Sequence, residues 1–256
     1  MSNKYILMSL VTLVLMGSGV FAYTANANHA WGGYHWARSS NPFTLKLGDN
    51  VTANWDSYLQ TSVFDWSESN VLDVVSVAGA SNPKNCKPMA GRVEICNSKY
   101  GNNGWLGIAS IWASGEHITQ GTVKMNDTYF NTAKYNTPAW KNLVMCQEIG
   151  HTFGLDHQDE NFNNLNLGTC MDYTSDPETN QHPNAHDYEM LEAIYAHLDS
   201  ETAVKQSPSA NRQEVDHSDP ATWGKSIRKD DKDRGELFVR DLGNGNRVFT
   251  FVVWAE

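Results

Sequence analysis

Basic residues are scarce in this chain: 19 Lys and Arg stand against 29 Asp and Glu, for a formal net charge of −10 over 256 residues. That balance argues against nucleic acid as a partner, because phosphate binding rests on clustered cations. Long apolar runs are scarce too. Beyond the N-terminus no segment approaches the length that spans a bilayer. Internal repeats are absent, so the chain is not a repeat array. Cysteine is limited to Cys86, Cys96, Cys146 and Cys170.

What is present suffices for one good-sized core and a small appendage, at 40% hydrophobic and 19% charged residues. Residues 1–27 read as a secretory signal. Lys4 precedes an apolar run from Tyr5 to Met16, and Ala25-Asn26-Ala27 offers a small-x-small cleavage site, with Ala22 an earlier alternative. The expected mature chain is secreted and has no membrane association. In an exported chain four cysteines most simply form two disulfides, although three connectivities exist. Cys86 and Cys96 bracket a short polar loop and would pair locally, which leaves Cys146 for Cys170.

Between Trp31 and Phe130 apolar residues come in short, often alternating bursts, at Phe43 to Leu47, Val71 to Val77, Trp105 to Trp112 and Thr122 to Met125. Such bursts predict strands. Trp55, Tyr58, Leu59 and Val63 recur at helical spacing between the first two. Thr137-Pro138 is a helix start, with Thr as N-cap and Pro at the first position, and the helix is expected to run to about Gly154. A second helix is expected over His186 to Leu198, with Asp187 near its start. Residues 201–234 are polar and read as a linker or loose segment. Residues 235–256 read as a hairpin, Leu237 to Asp241 and Arg247 to Trp254 flanking Leu242-Gly243-Asn244-Gly245-Asn246. A lone hairpin is marginal in water, so this one should pack on the main domain or on a partner.

The most informative stretch is Gln147-Glu148-Ile149-Gly150-His151-Thr152-Phe153-Gly154-Leu155-Asp156-His157. It matches the zinc-protease pattern H-E-x-x-H-x-x-G-x-x-H at every fixed position but the first, where Gln stands for His. Side chains four apart share one helix face and point at one metal. A glycine then turns the chain to deliver the third ligand. Downstream, Cys170-Met171-Asp172-Tyr173 matches a Met-turn. On these two motifs the chain resembles the metzincin clan, with wording nearest to matrixins and serralysins.

The resemblance implies an α+β fold over residues 28–200: a twisted mixed β-sheet, an active-site helix, the Met-turn and a C-terminal helix. It implies Zn2+ held by His151, His157 and Gln147, with Glu148 as general base and Tyr173 as zinc or oxyanion partner. Met171 would be a structural floor. Gln147 reaches as far as His through Oε1, but as a neutral oxygen donor it admits three readings: weak ligand, spectator, or mark of a dead site. Ca2+ is compatible with the family but not readable from the residues. The implied function is secreted peptide-bond hydrolysis, with a peptide or protein substrate bound extended along the cleft. Trp105 to Trp112 would be either the edge strand pairing with that substrate or an ordinary core strand. The rival reading is a catalytically impaired pseudoprotease that binds peptides or proteins. A weaker third is a metal-binding structural protein.

Overall fold

The computed structural model describes residues 28–205 and 217–255; the signal expected at 1–27 lies outside them. The strands are β1 (His35–Trp36), β2 (Phe43–Asn50), β3 (Leu72–Ala78), β4 (Val93–Ser98), β5 (Trp105–Ser114), β6 (His117–Asn126), β7 (Lys225–Lys229), β8 (Gly235–Gly243) and β9 (Asn246–Trp254). The α-helices are α1 (Asp56–Trp66), α2 (Asp127–Phe130), α3 (Pro138–His151) and α4 (Ala185–Ile194). All strands join one mixed sheet in the order β3-β2-β4-β6-β5-β9-β8-β7, with β1 beside β6.

β2 begins with the alternation expected of a half-buried strand, Phe43, Leu45 and Leu47 inward and Thr44 and Lys46 outward. It runs parallel to β3 through the α1 crossover and parallel to β4, which in turn is parallel to β6. β5 returns antiparallel to β6. β4 was not foreseen. Its Glu94 is fully buried, held by Arg92 Nε at 2.6 Å and Asn50 Nδ2 at 2.6 Å, so pairing hides a charge that reads as surface.

α3 starts as expected. Thr137 Oγ1 accepts from the Trp140 amide at 3.3 Å, an N-cap of the kind that contributes about 1 kcal/mol. The helix stops at His151, short of Gly154. α4 opens with a capping box between Asn184 and Asp187, which places Asp187 where the helix dipole favours it. Both expected disulfides are present, Cys86–Cys96 and Cys146–Cys170.

One open alternative is decided and one expectation changes. β5 is an internal strand and not an edge strand, because β9 pairs antiparallel with it from Trp105–Trp254 to Ser114–Asn246. Its own sequence could not decide this, since edge status depends on what arrives from elsewhere in the chain. The segment expected as a loose linker also contributes structure. Lys225–Lys229 forms β7 on β8, and Trp223 beside it is buried. The strand forms because β8 offers unpaired backbone groups, which outweigh the polar composition. Among the described residues no helix is long and apolar enough to cross a membrane.

Candidate metal centre

α3 carries Gln147, Glu148 and His151 into the molecule, and all three are buried. Gly107 of β5 lets the helix come close: a Cβ there would lie 2.5 Å from Val144 Cγ1 and 2.8 Å from Glu148 Oε1. Gly154 then adopts φ +101° with Tyr34 carbonyl oxygen 2.5 Å from where a Cβ would sit, so only glycine makes this turn. The reversal returns His157 to His151, their rings 4.6 Å apart and perpendicular.

The hydrogen bonds orient the pair. His151 Nδ1 donates to the Leu155 carbonyl at 2.9 Å, which leaves Nε2 with its lone pair. Nε2 of His151 and Nε2 of His157 are buried without hydrogen-bond partners among the described residues, and the buried Glu148 carboxyl has only the backbones of Val253 and Ala109 near it. Unpartnered buried polar atoms are rare and call for an ion or water. Burial lowers His151 to about 4 against a weaker opposing pull from the Leu155 carbonyl. Burial lowers His157 too, aided by His151 and Arg228. Burial raises Glu148 well above the usual carboxylate range; the backbones of Val253 and Ala109 face it and offset only part of that. Burial thus favours neutral imidazoles beside a protonated Glu148 carboxyl. His151 Nε2 offers a lone pair; a guanidinium can only donate, so His157 Nδ1, 3.4 Å from Arg228 Nη2, accepts and the neutral ring carries its proton on Nε2, which a cation such as Zn2+ would have to displace.

The segment Cys170 to Tyr173 packs against α3 and against the chain that follows His157. Met171 accepts from the Gln158 amide at 2.6 Å, and Tyr173 donates its amide to Asp159 at 3.0 Å, so the turn grips the chain just after His157. Met171 Sδ is 2.7 Å from where a Cβ on Gly150 would sit. The Cys146–Cys170 bond ties the turn to α3. Tyr173 lies 4.2 Å ring to ring from His157 and is buried. Burial and then the Glu236 charge hold its hydroxyl well above the ordinary value, so it stays protonated.

The C-terminal strands lie against the two histidines. Phe251 of β9 is fully buried and stacks on His151, with centroids 4.0 Å apart and planes at 13°. Arg228 of β7 faces His157 Nδ1 at 3.4 Å and pairs with Asp156 at 2.5 Å, Glu160 at 3.0 Å and Glu236. Asp156, His157 and Glu160 bring ligand atoms within 4.8 Å of one another. Arg228 supplies the positive charge there, which makes that trio an ion-pair clamp. Burial pushes Glu160 up to about 7 despite the guanidinium.

Of the residues expected at the site, His151, His157 and Tyr173 are in ring contact in series, Met171 packs on α3 at Gly150, and Gln147 and Glu148 are buried on α3. Phe251, Arg228 and Glu236 were missed. The one available signal was the alternation Phe249-Thr250-Phe251, which puts two aromatics on one strand face. A scan against protein-family models and a search of curated proteins each found no match to this chain.

Proposed function

We propose that the chain is a secreted zinc-dependent endopeptidase of metzincin type, held closed by its own C-terminal strands. The observation that carries this reading is the pair of buried, partnerless Nε2 atoms of His151 and His157 beside the buried carboxyl of Glu148. The strand order supports it: parallel strands, antiparallel β5 next to α3, and the segment Cys170 to Tyr173 packed against α3.

His151, His157 and the Oε1 of Gln147 are the residues that would hold zinc. When bound, zinc supplies Lewis-acid polarisation of a water and of the scissile carbonyl. In the closed chain burial keeps Glu148 protonated; with β9 displaced and zinc bound it would ionise, and as the carboxylate it would take a proton from the attacking water and pass it to the leaving amine. Tyr173 keeps its hydroxyl proton and donates it in a hydrogen bond to the developing oxyanion. The substrate is an extended peptide along β5, in the place β9 now occupies. Cleavage therefore requires β9 to yield.

The Phe251 stack and Gln147 favour one second reading, a silent module that binds a strand without cutting it. Casein hydrolysis separates the two. A chain opened by Phe251→Ala should cleave with zinc, lose activity to a chelator and regain it with added zinc. An opened chain that binds zinc at His151 and His157 and cleaves nothing belongs to the second reading.

A further inference from the structure

Other histidines converge outside the cleft. His35 on β1 and His117 at the start of β6 are placed side by side by the parallel register of those strands. His197 and Asp199 follow α4, where the Asp199 amide donates to the Arg38 carbonyl at 2.9 Å. His35 Nε2 lies 3.2 Å from His197 Nε2 and 3.5 Å from Asp199 Oδ1. The same oxygen is 3.4 Å from His117 Nε2 and 3.7 Å from His197 Nε2. Tetrahedral zinc with bonds of about 2.0–2.1 Å sets neighbouring donor atoms roughly 3.3–3.4 Å apart. Four of the six donor separations thus lie near a tetrahedron's edge, and His35, His117 and Asp199 bring ligand atoms within 4.8 Å of one another.

The surroundings prepare the same donors. His35 Nδ1 donates to the Gly33 carbonyl at 2.7 Å, so its Nε2 presents a lone pair inward. Asp199 Oδ2 accepts from the Arg38 amide at 3.1 Å and from Arg38 Nη1 at 2.9 Å, which leaves Oδ1 to face the rings. His117 Nδ1 has the Glu201 carboxylate 3.8 Å away. Burial opposes the charge on Asp199, but the Arg38 amide and His35 outweigh it and hold the carboxyl below its usual range. One oxygen of Asp199 lies near all three rings, and the Nε2 atoms of His35 and His197 face each other. A divalent cation satisfies all four donors together.

We propose that His35, His117, His197 and Asp199 form a structural zinc site, closed by four protein ligands and distinct from the cleft. It joins the end of α4 to β1 and β6. It thereby fixes the segment whose Trp31 and Trp36 indoles donate to the His151 and Thr152 carbonyls, at 3.0 Å and 2.8 Å, where α3 ends. The site braces the turn that delivers His157.

Cobalt(II) is the probe, because a tetrahedral nitrogen and oxygen centre gives it visible absorption. In the His157→Ala chain, where the cleft pair is broken, one cobalt per chain should bind with that absorption and zinc should displace it. His157→Ala with His197→Ala should bind none; the His197 side chain is 54% exposed, so its removal should leave the fold intact. Cobalt absorption that persists in the double variant, or none in His157→Ala, overturns the proposal. In the otherwise unaltered chain, His197→Ala and His117→Ala should each lower bound zinc by one equivalent. Unchanged zinc in both overturns it as well. A chain with one zinc here and none at the cleft would sink the protease reading and leave this site standing.

Discussion

At the cleft, His151 and His157 come from the end of α3 and the turn directly after it, and Phe251 and Arg228 lie against them. Beside the β5–β6 turn, His35, His117, His197 and Asp199 come from β1, β6 and the segment after α4, up to 164 residues apart, and His197 stays half-exposed. The first arrangement is written in local geometry: helix period and one glycine place the donors. The second is made by topology, through a two-residue parallel pairing and the return of the chain after α4. The difference predicts different chemistry. A region with an incomplete ligand set and a removable cover suits turnover, whereas a region with four protein donors suits permanent binding.

Opening the cleft should disturb one region and spare the other. Phe251→Ala removes a fully buried ring from β9, at an expected cost of about 3–5 kcal/mol. Hydrogen exchange should quicken along β9 and β5, while the amides of His35 and His117 stay protected. Equal loosening at both places would break the comparison. The disulfide comes next. Replacing Cys146 and Cys170 by serine frees the segment Cys170 to Tyr173 from α3 and should cost about 3 kcal/mol in the chain-entropy model, read from denaturant midpoints. Zinc affinity should fall at the cleft and hold at the His–Asp cluster. The smallest change concerns Gln147. As a weak ligand, Gln147→Ala should loosen cleft zinc roughly tenfold and Gln147→His should tighten it, by competition with a chromophoric chelator. Equal affinity in the natural and Ala forms would show that Gln147 is a spectator.

Particular residues explain what the sequence revealed. Thr137-Pro138 announced α3 because capping is local, and Gly154 announced the turn because no other residue tolerates φ +101° against the Tyr34 carbonyl. Both disulfides and the hairpin followed from spacing. β4 was hidden because its buried Glu94 needs Arg92 and Asn50 to be acceptable inside. The closure of the cleft was hidden because no residue of β5 says that β9 will pair with it. Arg228 sits in a stretch whose composition reads as solvated, and only the β7–β8 pairing turns it toward Asp156 and Glu236. The His–Asp cluster has no short motif at all. Its donors become neighbours only once the sheet is assembled.

Casein hydrolysis in the presence of zinc, by the Phe251→Ala chain and by Phe251→Ala with Glu148→Gln, tests the account most directly. General acid–base groups contribute about 10²–10⁴-fold. The opened chain should therefore cleave, and the double variant should fall by that factor while binding the same amount of zinc. Equal cleavage by both, or none by an opened chain with zinc bound at His151 and His157, would contradict it.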